Sequence, residues 1–433
     1  MIGLGKSIMR PATSTILLTL GFAVSAAEAC EQCRLIDGRW REPSHLHFSS
    51  ETSETSLTAG GSGTLLVPPL SSRPQARAKL FLDFDGDFTP VWVQYSPGVT
   101  PAYSIDADTS TFSSAELANI FKIWSGVAEK YSPFNIDVTT IDPGPLVKRE
   151  SFRVVIGGNG TWFSPTPTAA GVAYIGSFYN TQPTSTAYVF SALLLPNDPL
   201  HTSFVTAATA HEAGHGFGLQ HQSVWSETGQ LLDPYNRGDE HKAPIMGSSY
   251  RKRGLWWEGT SLGPQTIQRD LTVLSGSNNG FGYRPDDHAN TPELATPLNI
   301  LGDNAYGSGV IERNSDFDYF SFETLAGQIS FTLNVAPHDA MLDGSLALFN
   351  LAGDTLQWLD TPTLGESFTM EVPAGSYRLA VFSHGFYGDV GQYSILGTIV
   401  PVPDPAFAGP LGLAGLLSWS LARRKVPKAN RFR

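Results

Sequence analysis

The chain has 433 residues, a formal net charge of −12 and 41% hydrophobic residues, with glycine (43) and proline (30) plentiful. That length and composition suit two or three folded units with real cores, rich in strands and turns rather than helical bundles. The acidic balance excludes nucleic acid as a natural partner.

Residues 1–27 read as a secretory signal peptide. Lys6 and Arg10 precede the apolar run Ile16–Val24, and small residues then permit cleavage after Ala27 or Ala29. The run is too short for a membrane span. Residues 28–78 follow as a low-order linker or pro-segment, rich in Ser, Thr, Gly and Pro from about residue 49. The only cysteines, Cys30 and Cys33, lie at its start. So close a pair staples little of a fold and supplies half a zinc site, so a local disulfide or free thiols are expected.

From Lys79 the pattern predicts structure. AKLFLDFDG reads as a buried strand ending in a turn. The run Asp83–Asp87 (DFDGD) hints at calcium. It fails the EF-hand pattern, because Gly86 sits fourth and no Glu follows at the twelfth place, so a strand-end turn is expected. Ser113 or Ser114 caps a helix whose apolar residues, Leu117, Ile120, Phe121, Trp124, Val127 and Ala128, recur every three or four positions. FNIDVTTI, FRVVIGG, GVAYIGSF and TAYVFSALL read as further strands. Asp198 and Pro199 offer an N-cap and a first helical residue for the next helix.

That helix carries HEAGHGFGLQH, His211 to His221, which holds three of the chain's ten histidines. His211 and His215 are four apart, so both imidazoles share one helical face, as two ligands of one ion must. Glu212 is rotated away from them and is placed to act as a general base. Gly218 permits the left-handed turn that ends a helix and returns the chain, bringing His221 to the same ion. Three neutral imidazoles leave a zinc ion one open position. The expected chemistry is peptide-bond hydrolysis by zinc-activated water with Glu212 as base.

HExxHxxGxxH, matched by His211, Glu212, His215, Gly218 and His221, resembles the signature of the metzincin zinc peptidases of the reprolysin and matrixin kind. Pro244-Ile245-Met246-Gly247 resembles their methionine turn, with Met246 as an apolar floor that does not ligate. The resemblance implies an α+β catalytic domain over 79–284, a mixed twisted sheet with the zinc helix packed beneath it. It also implies a protein or peptide substrate pairing as an extra strand along Val172, Ala173 and Tyr174. Some members place a tyrosine two residues after the methionine. Ser248 stands there, and Tyr250, two further on, is the remaining candidate. Glu227 and Glu240 would serve a peptidase whose third ligand is a downstream Glu, which His221 makes unnecessary.

FGYRPDDHANTPELATP marks a boundary, and Asp286-Asp287-His288 within it reads as a solvated linker turn. Over 285–399, SDFDYFSFET, GQISFTLNV, GSLALFNL, GSYRLAVFS and GQYSILGTI alternate as the strands of a β-sandwich do. Asp318-Tyr319-Phe320, Leu346 with the Gly353-Asp354 turn, and Ala374–Tyr377 resemble the bacterial pre-peptidase C-terminal domain. That likeness implies an accessory module that binds or stabilises.

Residues 400–425 combine Pro403-Asp404-Pro405, an apolar run Ala406–Ala422 and Arg423-Arg424-Lys425, and a basic tail fills 426–433. This resembles the PEP-CTERM sorting signal of Gram-negative bacteria, with Asp where Glu is usual. It implies export to the cell envelope or beyond, processing by an exosortase-type enzyme, membrane contact through the tail, and an exopolysaccharide or matrix setting. The leader holds two basic residues and the tail after Ala422 six, so losing both moves the net charge from −12 to −20. The rival reading is a non-catalytic surface or matrix binding protein that keeps a zinc-peptidase fold. An intact Glu212 speaks against it, since a binding module has no use for a general base.

Overall fold

The computed structural model describes residues 65–401 except 107, 165–168 and 182–183. The expected signal peptide, Cys30 and Cys33 and the PEP-CTERM-like tail lie outside the described residues.

The first unit is built on a five-stranded sheet. Its strands are β1 (Ala78–Asp83), β2 (Ile136–Thr139), β3 (Ser151–Ile156), β4 (Gly171–Val172) and β5 (Thr186–Val189), in the order β2-β1-β3-β5-β4. β1, β2, β3 and β5 run parallel, and β4 pairs antiparallel at one edge. Nearly every residue of the parallel strands is buried. That explains their continuous apolar runs: helices cover one face and the loop residues Trp92, Tyr95, Trp162 and Phe163 the other, so no strand face alternates with solvent.

Two long helices pack on this sheet, and a short one, Asp270–Leu274, follows near the end of the unit. Helix α1 (Ser114–Tyr131) starts as the sequence predicts, with Ser113 and Glu116 forming a reciprocal capping box. It buries Ile120, Ile123 and Val127, and the Tyr131 hydroxyl donates to the Ala210 carbonyl of the second helix at 3.0 Å. Helix α2 (His201–Gly216) starts later than Asp198-Pro199 predicts, with Leu200 at its cap and no side-chain capping bond. Asp198 is committed elsewhere: it accepts from the Leu200 N–H and pairs with Arg251 at 2.6 Å.

The strand expected over Gly171–Phe178 is shorter than its apolar pattern suggests. Only Gly171 and Val172 pair with β5; the chain then wraps the C-terminal end of α2. There the Gly176 and Phe178 N–H groups donate to the His215 and Gly216 carbonyls at 2.8 and 3.0 Å. Helix ends leave such carbonyls without partners, and satisfying them outweighs extending a ladder. The linker expected up to residue 78 also gains order from Leu65, since Leu70 and Ser72 exchange hydrogen bonds with Thr140 and Val138 beside β2. DFDGD forms the expected strand-end turn, with Gly86 at φ 91° and Arg153 paired to Asp87 at 2.7 Å.

The second unit is a β-sandwich of two five-stranded sheets. Its strands are β6 (Thr296–Pro297), β7 (Asn299–Leu301), β8 (Asn304–Ile311), β9 (Phe317–Thr324), β10 (Gly327–Val335), β11 (Gly344–Asn350), β12 (Thr355–Leu359), β13 (Ser367–Val372), β14 (Gly375–Ser383) and β15 (Gly391–Pro401). One sheet has the order β6-β9-β14-β11-β12 and the other β7-β8-β15-β10-β13. All five runs named from the sequence are strands. β8 escapes sequence pattern because Gly307 and Gly309 interrupt it; a Cβ at Gly307 would press on Leu298 and Phe320.

The two units share one continuous core. Buried charges at the end of α1 bind the sandwich. Glu129 accepts from the Met341 N–H at 3.0 Å and from the Gln392 backbone and side chain at 3.1 and 3.2 Å. Lys130 donates to the Gly254 carbonyl at 2.9 Å and to the Asp339 carbonyl. Arg253 pairs with Asp389 at 3.0 Å and donates to the Met341 carbonyl. The sandwich is therefore welded to the first unit rather than tethered to it. Glu129→Ala would strand the Met341 and Gln392 backbone donors and take one of two nearby anions, Glu129 and Asp339, from Lys130. It is expected to cost about 3 kcal/mol or more, read as a lower urea midpoint at unchanged slope.

Candidate metal centre

Helix α2 presents His211 and His215 one turn apart, and both are buried. Past Gly216 the chain turns at Gly218, whose φ is 101°. A Cβ there would lie 2.7 Å from the Tyr179 hydroxyl, so neither the conformation nor the space admits another residue. The turn returns His221 to the first two histidines. His211 and His215 Nε2 lie 3.2 Å apart, and His215 and His221 Nε2 3.1 Å apart. Of the three, His221 is the most open at 8% exposure, so the centre is reached from its side.

The rings are aimed by backbone carbonyls. His211 Nδ1 lies 2.7 Å from the Ile245 carbonyl and His215 Nδ1 2.7 Å from the Leu219 carbonyl. A carbonyl only accepts, so each Nδ1 carries the proton and each Nε2 presents a bare lone pair. Burial lowers the pKa of all three rings, that of His215 to about 4, and keeps them neutral.

These residues fit a zinc ion. Three imidazole nitrogens are a zinc donor set, and Zn–N bonds of about 2.0–2.1 Å in tetrahedral array put ligand nitrogens about 3.3 Å apart. The bare lone pairs of His211 and His215 Nε2, 3.2 Å apart, repel unless a cation or a proton lies between them. Glu212 is 1% exposed, and neither of its carboxylate oxygens has a hydrogen-bond partner in the protein. Burial pushes its pKa well above the usual carboxylate range. Glu227 and Glu240 are exposed and take no part in the histidine group.

Met246 is fully buried against the helix. A Cβ at Gly214, between the two helical histidines, would lie 2.6 Å from its sulfur. The residue before it, Ile245, supplies the carbonyl that aims His211. Of the predicted substrate-strand residues, Val172 belongs to β4, while Ala173 and Tyr174 follow it, all three buried; the Tyr174 hydroxyl donates to Gln94. Ser248 donates its N–H to the Asn236 carbonyl. Tyr250 packs edge-on to Phe204, with ring centroids 5.7 Å apart.

Two residues of the centre escape sequence reasoning. Gly171 abuts the base: a Cβ there would lie 2.6 Å from Glu212 Oε1. Tyr235 lies over His221, with ring centroids 4.5 Å apart. Burial raises the Tyr235 and Tyr250 pKa values, and the charge of Glu212 adds to both shifts, so both phenols are within its electrostatic reach. The signal available for Tyr235 was only a tyrosine in the loop between His221 and Met246.

No protein-family model matches the chain, and no curated protein matches it. Among solved structures it is similar to the pre-peptidase C-terminal domain of a collagenase from Bacillus anthracis, at 16% identity over 25% of this chain and 100% of that one, with a TM-score of 0.21. It is also similar to a periplasmic inhibitor of g-type lysozyme from Aeromonas hydrophila, at 14% identity over 24% of this chain and 96% of that one, with a TM-score of 0.21. A carbohydrate-binding module from a Cellvibrio mixtus lichenase matches at 13% identity over 23% of this chain and 74% of that one, with a TM-score of 0.13.

Gly214→Val is expected to displace Met246 and, through Ile245, the ring of His211. Metal analysis after dialysis should find the variant retaining less zinc than the parent while its far-ultraviolet dichroism stays the same. Gly218→Ala should lower both zinc retention and melting temperature, because it strains the turn as well.

Proposed function

We propose that the protein is an exported zinc metalloendopeptidase of the metzincin kind. The observation that carries this reading is the convergence of three neutral histidine Nε2 atoms beside Glu212, a buried carboxylate whose oxygens have no partner. A structural histidine cluster has no need of such a carboxylate, and burying one uncompensated is costly.

His211, His215 and His221 would hold the ion through Nε2. When bound, zinc polarises a carbonyl and makes a water acidic enough to deprotonate near neutral pH. Glu212 would take that proton and return it to the leaving amine. The bare Cα of Gly171 leaves the Glu212 carboxylate its room. β4 is the sheet edge, and its side away from β5 has no strand partner among the described residues. An extended peptide adding there would be carried past Glu212. The leader and the PEP-CTERM-like tail support export, with an exosortase-type enzyme as processing partner.

The full chain, purified with zinc, should hold one ion and cleave a quenched-fluorescence peptide internally. Glu212→Gln should keep that zinc and lose at least about a hundredfold in kcat. Stoichiometric zinc with cleavage indifferent to Glu212 would overturn the reading. His221→Ala should lose zinc; full retention would instead point to a downstream carboxylate as third ligand.

A further inference from the structure

The central sheet has a second face, turned away from α1 and α2, and a cavity opens at one end of it. Asp83, the last residue of β1, lies on that face: it is in register with Val155, which packs with Trp92 and Tyr188 and not with the helices. The cavity holds about 290 Å³. Asp83, Asp85, Asp142 and Arg153 line it, with Val67 and Leu146 as apolar walls. It shares no residue with the histidine centre.

Asp83 carries the chemistry of this cavity. It is 4% exposed, and no donor in the protein reaches its Oδ1. Its Oδ2 lies 3.5 Å from the Arg153 guanidinium, the outer limit of a hydrogen bond, because Arg153 is spent at 2.7 Å on Asp87. The carboxyl groups of Asp83 and Asp85 are in hydrogen-bonding contact, so they share either a proton or a cation. Burial, and then the contact with Asp85, push the Asp83 carboxyl up to about 8. A proton therefore holds the place at neutral pH until a cation displaces it.

The lining selects the kind of cation. Three acids against one guanidinium, itself paired to a fourth acid, leave the cavity negative and exclude an anion. Among the described residues no third carboxylate, histidine or cysteine joins Asp83 and Asp85 in a ligand group within 4.8 Å. That set is thin for calcium, which takes about six to eight oxygens, and the cavity is far larger than a bare ion needs. An ammonium group has three donors and no acceptor, so one nitrogen can answer both carboxyl groups. The methylene chain behind it can lie along Val67 and Leu146, as the stem of a lysine lies on apolar surface.

We propose that this cavity binds an alkylammonium group, the end of a lysine side chain or of a free diamine, between Asp83 and Asp85. The turn expected at DFDGD is one wall of the site, and its acids are the ligand's partners. Since the cavity and the histidine centre lie on opposite faces of the sheet, an occupant here leaves the centre open.

The test is calorimetric titration of cadaverine into the zinc-loaded full chain, with melting followed in parallel and N-acetyl-lysine methylamide as a second probe. One amine per chain and a higher melting temperature are expected, with neither effect from pentanol or sodium pentanoate. Binding of the lysine derivative would assign the site to lysine side chains, and binding of cadaverine alone to free diamines. Asp83→Asn should abolish binding. Asp85→Asn, at an exposed position that does not threaten folding, should weaken it by about tenfold or more. Glu212→Gln should bind the amine as the parent does, which separates this site from the peptidase reading. No saturable heat from either amine, equal binding of pentanol, displacement of the amine by an equal concentration of calcium, or an affinity unchanged in Asp85→Asn would overturn the proposal.

Discussion

The hydrogen bond from His211 Nδ1 to the Ile245 carbonyl is the constraint on which the rest of the centre depends. It joins a helix to a loop that the sequence places 34 residues away, and it sets the tautomer and the ring angle together. The neighbouring parts keep that carbonyl in place. Met246 fills the space under Gly214, and its carbonyl accepts the Gln222 N–H just past His221. The Ile245 N–H in turn donates to Leu255, beside Arg253 and the buried charges that reach the sandwich. A ligand angle at the centre is thus braced from the far side of the molecule.

Much of the centre was legible in the sequence because its logic is local. A four-residue helical spacing puts His211 and His215 on one face, and a glycine that must take positive φ returns His221. The strands of the sandwich were legible for the same reason, each being a short alternating run. The parts that sequence pattern missed depend on contacts distant along the chain. Gly171 matters only because α2 brings Glu212 against it. GVAYIGSF has a strand's composition, but two carbonyls at the end of α2 claimed its N–H groups. Asp83 reads as the polar end of a strand until the fold encloses it beside Asp85 and Arg153. Likewise nothing in Glu129 or Lys130 betrays burial, since helical periodicity predicts charge at the end of an exposed face, and their partners lie some two hundred residues further on.

The two units differ in how they distribute polarity. In the first, charged groups are scattered: Asp83 ends a strand, Asp137 and Arg153 lie within strands, and Glu212 lies within α2. In the sandwich, buried acids gather at the end that faces the first unit. Directional bonds from buried charges thus cross the seam beside the apolar core that the two units share. Such a seam is exacting about geometry, since each buried charge is stable only when its partners are in place.

Gln392 lies in the last described strand and Glu129 in the first long helix, 263 residues earlier. A chain made from its N-terminus therefore exposes Glu129, Lys130 and Arg253 well before their partners exist. Contacts so remote in sequence form slowly, because loop closure must precede their reward. The carbonyls that aim His211 and His215 belong to Ile245 and Leu219, so they are made long before the partners of Glu129.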